Sequence, residues 1–258
     1  MIFLFLLISG CSYFQPLGAE SPVKEEFSLC DQDSRIRCKP PHDPHAKLIA
    51  DVLEESIHQI ELRHGKPFTK PVIVHLCDST DCFAHYAQVD SKIRGAVGVN
   101  GLFLSPLIFD SGDYQPMLMH ELSHLHLFQQ ISILDSIFIP QWFHDGVATY
   151  ASGGGGSARV SEKIAKEYFK KGKSIVPNSS SFPYFPRWQL NYSAVENVQF
   201  QQHLNYRQAA LFIGYLDIEG TLSKLLRKLE SGDNFNSAFE ATFNATVDQK
   251  WNLFLQQI

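Results

Sequence analysis

Residues Met117–Gln130 read MLMHELSHLHLFQQ, three histidines and one glutamate set in an otherwise apolar run. Ionisable groups are costly to bury without partners. At the helical period Leu118, Leu122 and Leu125 fall on one face, and Met117 and Leu127 flank the histidines. A helix over about 115–130 is therefore apolar nearly all round and belongs inside the protein. His120 and His124 stand four positions apart, one turn above another on one face. Two imidazoles so placed can hold one Zn²⁺. Glu121, rotated by about 100° from His120, can reach a water at the metal without ligating the metal itself. The pattern is H-E-x-x-H. With 11 histidines in the chain, chance alone produces it in roughly one chain in forty of this composition, so the buried context carries the weight. His126 points about 140° away from the mean direction of His120 and His124 and reads as a partly exposed surface histidine.

Outward from this helix, the chain organises into early strands and late helices. AKLIADVLEESIHQIELRHG has apolar residues at Leu48, Ile49, Val52, Leu53, Ile57 and Ile60, a helical spacing stopped by Gly65. PVIVHLC is a short buried strand, DCFAHYAQV a short helix, and GAVGVNGLFLSP one or two strands with glycine breaks. IPQWFHDGVATYAS predicts a second helix, with Pro140 near its first turn. GGGG at 153–156 ends that helix. No Gly-Lys-Ser/Thr follows, so it reads as a flexible loop rather than a phosphate cradle. ARVSEKIAKEYFKKG is amphipathic, residues 172–204 read as irregular, and three or four more helices are expected from Tyr206 onward. The fold class is α+β.

The chain has 258 residues and a formal net charge of −5, with 44% hydrophobic and 19% charged residues. This is a globular composition with no basic patch, which argues against nucleic-acid binding. Ile2–Ile8 is an unbroken apolar run, too short to span a bilayer and long enough for a signal-peptide core. The following ISGC resembles a bacterial lipobox, although no Lys or Arg precedes the run. That resemblance implies a signal peptide over 1–10 and lipidation of Cys11. Ser12 after the cysteine resembles outer-membrane sorting, with the protein facing the periplasm of a bacterial cell envelope. Residues 11–45 read as a polar tether held extended by prolines, and 46–258 as one domain. Apart from Cys11 there are four cysteines, an even number in a chain read as exported. Three pairings are possible, and local closure favours Cys30–Cys38 and Cys77–Cys82.

HELSH followed by WFHDGVATY resembles the gluzincin zinc metallopeptidases of the peptidase MA-like family, whose pattern is HExxH and then W-L-x-E-G-x-A-x-Y. Trp142, Phe143, Gly146, Ala148 and Tyr150 match or nearly match. The resemblance implies a zincin (thermolysin-like) catalytic domain with a short N-terminal sheet and a mostly helical C-terminal half. It also implies Zn²⁺ held by His120, His124 and a third ligand that falls on Asp145, where the family has glutamate. His144 is the neighbouring alternative. Gly146 and Ala148 would then let this helix approach the HExxH helix closely. Glu121 becomes the general base toward a peptide or protein substrate. Tyr206 is the candidate oxyanion donor, with His203 as the alternative. The glycine-bearing strand over GAVGVNGLF is a candidate cleft edge for an extended substrate. The competing class is a non-catalytic envelope lipoprotein on a decayed zincin scaffold. Aspartate at 145 favours that reading, and retention of Glu121 opposes it.

Overall fold

A computed structural model describes residues 26–30, 33–39, 43–98, 101–110, 112–131, 133–136, 138–177 and 198–258. The signal segment, Cys11 and Ser12 lie outside these residues. The architecture is α+β, with a short mixed sheet early and helices late. The described residues divide into two compact units, one of those up to 52 together with 71–114, the other of 53–70 together with those from 115 onward.

In the first unit the strands are β1 (Ser28–Leu29), β2 (Ile36–Lys39), β3 (Val74–Cys77), β4 (Gly95–Gly98) and β5 (Gly101–Leu104), in the order β1-β2-β3-β5-β4. The β2–β3 and β3–β5 pairs are parallel, and the two outer pairs are antiparallel. Part of the stretch read as a tether is therefore sheet. Ile36-Arg37-Cys38-Lys39 alternates buried and half-buried residues, the period of a strand with one covered face, and that local pattern outweighs the prolines around it. GAVGVNGLFLSP forms β4 and β5, and β4 is an outer strand. Helix α1 (Ala46–His64) begins in this unit, and helix α2 (Thr80–Ala87) starts on an N-cap, Ser79, whose hydroxyl accepts from the backbone N–H of Cys82. Cys30 and Cys38 are joined as a disulfide. The second pairing favoured by closure is not present in the structure, where Cys77 and Cys82 are not joined.

The second unit holds the HExxH helix, α3 (Tyr114–Gln130), then α4 (Ile133–Ser136), α5 (Gln141–Ala151), α6 (Glu162–Lys170), α7 (Val198–Leu216), α8 (Thr221–Glu230), α9 (Phe235–Phe243) and α10 (Val247–Leu255). Pro140 is the N-cap of α5, where a missing N–H costs nothing. α7 begins at Val198, so part of the stretch read as irregular is helix and Tyr206 lies mid-helix rather than at its start. VQFQQHLN carries few strong helical signals of its own, but Leu204 packs with Val160 and Ala165, and that packing supports the extra turns. An aromatic core of Trp142, Phe143, Phe212, Phe235, Phe239 and Trp251 seats α5 against the C-terminal helices. Gly146 faces this side. A Cβ there would stand 3.0 Å from Ile213 Cγ1 and 3.1 Å from Ala209 Cβ. The small residue therefore serves close approach of α5 to α7, and not to the HExxH helix as the family pattern implied.

Candidate metal centre

Helix α3 is buried along most of its length, and His120, Glu121 and His124 are each 0% exposed. Asp145, on α5, is equally buried. His124 Nε2 stands 3.1 Å from His120 Nε2 and 3.6 Å from Asp145 Oδ1. One ligand atom from each of His120, His124 and Asp145 lies within 4.8 Å of the others. Ligands at zinc distances on a tetrahedron are about 3.3 Å apart; both His124 spacings lie near this value, and the widest spacing of the cluster would have to close around an ion. Among the described residues this is the one such cluster.

The tautomer of His120 follows from its surroundings. Its Nδ1 lies 3.0 Å from the carbonyl oxygen of Gly155 and 3.4 Å from Thr149 Oγ1. A carbonyl only accepts, so Nδ1–H donates, and the neutral ring turns the Nε2 lone pair toward His124 and Asp145. Burial pushes the His120 pKa down to about 4 and the His124 pKa well below its usual range. Both rings are therefore neutral near pH 7, the form that ligates metal. Asp145 is perturbed in the other direction. Burial drives its carboxyl well above the usual carboxylate range, and the nearby Glu121 adds to this, while the Gln141 amide pulls the other way without reaching hydrogen-bond geometry. Neither Asp145 oxygen has a hydrogen-bond partner among the described residues. A buried carboxyl without a hydrogen-bond partner, beside two neutral imidazoles, is a donor set that fits a divalent cation.

His144 does not join the cluster. Its Nε2–H donates to the Ser136 carbonyl at 3.1 Å, and its ring stacks on Phe128. Adjacent helical positions diverge by about 100°, and it is Asp145 that faces the histidines. Tyr206 is 2% exposed, and its ring packs over His120 at 5.6 Å between centroids. Its hydroxyl accepts from Gln202 Nε2 at 3.0 Å. His203 accepts from the backbone N–H of Arg159 at 3.4 Å.

Two features differ from the sequence reading. The glycine run is a built part of the site. Gly155 N–H donates to Ser152 Oγ, Gly154 N–H to the Thr149 carbonyl, and Ser157 Oγ to the Gly154 carbonyl. A Cβ on Gly155 would sit 2.0 Å from the Pro116 carbonyl oxygen, and one on Gly156 would sit 2.9 Å from the Tyr206 ring and 3.1 Å from His120. Glycine here permits close approach to His120. The run's position directly after the helix that carries Asp145 was the available signal. His126 is the second correction: it is 1% exposed, because a histidine at the C-terminal end of α1 provides it with a buried partner.

No family model matches the chain, and no curated protein matches it.

Proposed function

We propose that this chain is a zinc-dependent metallopeptidase of gluzincin type, carried to the cell envelope and anchored there by lipid on Cys11. The observation that carries the catalytic reading is the convergence of His120, His124 and the orphaned Asp145 beside the HExxH glutamate. His120 and His124 would hold the ion through ring nitrogens and Asp145 through one carboxylate oxygen. A bound zinc supplies Lewis-acid activation of water and polarisation of a substrate carbonyl.

The chain's own groups account for the remaining chemistry. Gly155 holds His120 in the ligating tautomer. Glu121 is offset from the two ligands around α3, takes a proton from the attacking water and passes it to the leaving amine. Tyr206, packed over His120, donates its hydroxyl to the oxyanion developing on the carbonyl. Export and anchoring rest on the Ile2–Ile8 apolar run and ISGC. Among the described residues no helix is long and apolar enough to cross a membrane.

The test pairs metal analysis with Glu121→Gln. Wild type and variant should each carry about one zinc per chain, while turnover of a peptide-library substrate falls ~10²–10⁴-fold in the variant. Protein that takes up no zinc after metal-supplemented purification would refute the hydrolase. Zinc binding with no peptide turnover by wild type would favour the non-catalytic scaffold.

A further inference from the structure

A chain of buried polar groups runs along the flank of α3, away from the ligand face. Ser123 Oγ lies 2.9 Å from His64 Nε2, His64 Nδ1 lies 2.9 Å from His126 Nδ1, and His126 Nε2 lies 2.8 Å from the Lys66 carbonyl oxygen. Its polarity is determined from one end. The carbonyl can only accept, so His126 donates through Nε2–H. Its Nδ1 is then a lone pair, so His64 donates through Nδ1–H. His64 Nε2 is left as an acceptor, and Ser123 donates to it. Every member is satisfied in a single sense, with both rings neutral. The far end is set by the turn that closes α1. Gly65, at φ 74°, reverses the chain, and the N–H groups of Gly65 and Lys66 both return to the Glu61 carbonyl. This turn lies beside Ser223 of α8, at 2.9 Å from a Cβ built on Gly65.

Ser123 and His126 are three positions apart and flank His124. Together they grip one ring, His64, that belongs to another helix. Such a two-point grip resists rotation of α3 about its axis. Ligand nitrogens lie roughly 5–6 Å from a helix axis, so a rotation of about 10° moves them by about 1 Å. Zinc sites tolerate departures of only ~0.2 Å in ligand distance, equivalent to about 2° of rotation.

We propose that His64, acting through Ser123 and His126, is a positioning residue that sets the rotation of the HExxH helix and thereby the approach of His120 and His124 to the metal. The proposal rests on the metal-site reading given above. It assigns His64 no contact with metal or substrate.

The experiment measures zinc affinity by chelator competition and the visible spectrum of the cobalt-substituted protein, together with urea unfolding of the metal-free form. His64→Ala and Ser123→Ala should each weaken zinc ~10–100-fold, the range for outer-shell partners, and alter the cobalt spectrum. The double variant should lose little more than His64→Ala alone, since that substitution already removes the Ser123 link. His64→Gln keeps one acceptor and one donor on a single planar group and should recover part of the affinity. A purely structural role would lower the unfolding midpoint while leaving affinity and spectrum as in wild type, and that result would overturn the proposal. Should His64→Ala fail to fold, unchanged zinc affinity in folded Ser123→Ala would overturn it equally. Wild type that binds no zinc overturns both this proposal and the metal-site reading, whereas wild-type binding with unperturbed variants overturns this proposal alone.

Discussion

Gly155→Ala probes the metal centre from a residue that ligates nothing. The added methyl would begin 2.0 Å from the Pro116 carbonyl oxygen and 2.7 Å from Ser152 Oγ. Ordinary carbon–oxygen contact needs about 3.3 Å, so something must move by more than an ångström. Pro116 lies within helix α3 and its carbonyl is backbone, so the loop gives way. The displaced loop takes with it the Gly155 carbonyl, now 3.0 Å from His120 Nδ1. Loss of an outer-shell partner of a ligand histidine typically weakens metal binding ~10–100-fold, or about 1.4–2.7 kcal/mol. Isothermal titration with zinc in a competing chelator reads this directly. Gly153→Ala is the control, because no atom lies within 4 Å of its Cβ, although its φ of 69° carries some strain. That variant should lose about 1 kcal/mol of stability and keep wild-type affinity. A folded Gly155→Ala protein binding zinc as tightly as wild type would show that the glycine loop does not orient His120.

Asp145→Ala should abolish tight zinc binding yet leave the metal-free protein at least as resistant to urea as wild type, since it removes an unpartnered buried carboxyl whose burial costs about 1–3 kcal/mol. His144→Ala should keep most zinc affinity, and the opposite ranking in a chelator titration would make His144 the ligand. Gly146→Val should cost ~1–3 kcal/mol in urea unfolding by forcing α5 off Ile213 and Ala209, and zinc affinity should fall with it because Asp145 sits on the same turn. His75, 5% exposed and packed among Phe27 and Phe103, has its pKa lowered by burial from 6.5 to about 4. The unfolded chain therefore binds a proton that the fold does not, so stability is full above pH 6.5. It declines by up to about 3 kcal/mol as pH falls toward 4. His75→Gln should flatten that part of the pH–stability curve, and equal slopes for the two proteins would contradict the assignment.

Whatever depends on periodicity and local spacing was legible in the sequence. HELSH on a run apolar nearly all round determines a buried helix with two histidines on one face, because a 3.6-residue period leaves no other arrangement for i and i+4. VHLC, GAVG and GLFL could be read as strands from their short apolar runs and flanking glycines. The resemblance to the HExxH…W-L-x-E-G-x-A-x-Y pattern singled out Asp145, although no local rule separated it from His144. Tertiary structure decided the rest. Which of two adjacent residues faces His120 and His124 depends on how α5 is rotated, and Gly146 packed against Ala209 and Ile213, more than sixty positions away in the chain, holds that rotation. The glycine run looked flexible because four glycines in sequence carry no partners. It becomes an ordered wall only when the Pro116 carbonyl and His120 come within contact of it. His126 looked exposed because helical geometry specifies direction but not what lies there, and His64 lies there. Periodicity reports which side chains share a face; only packing reports what that face meets.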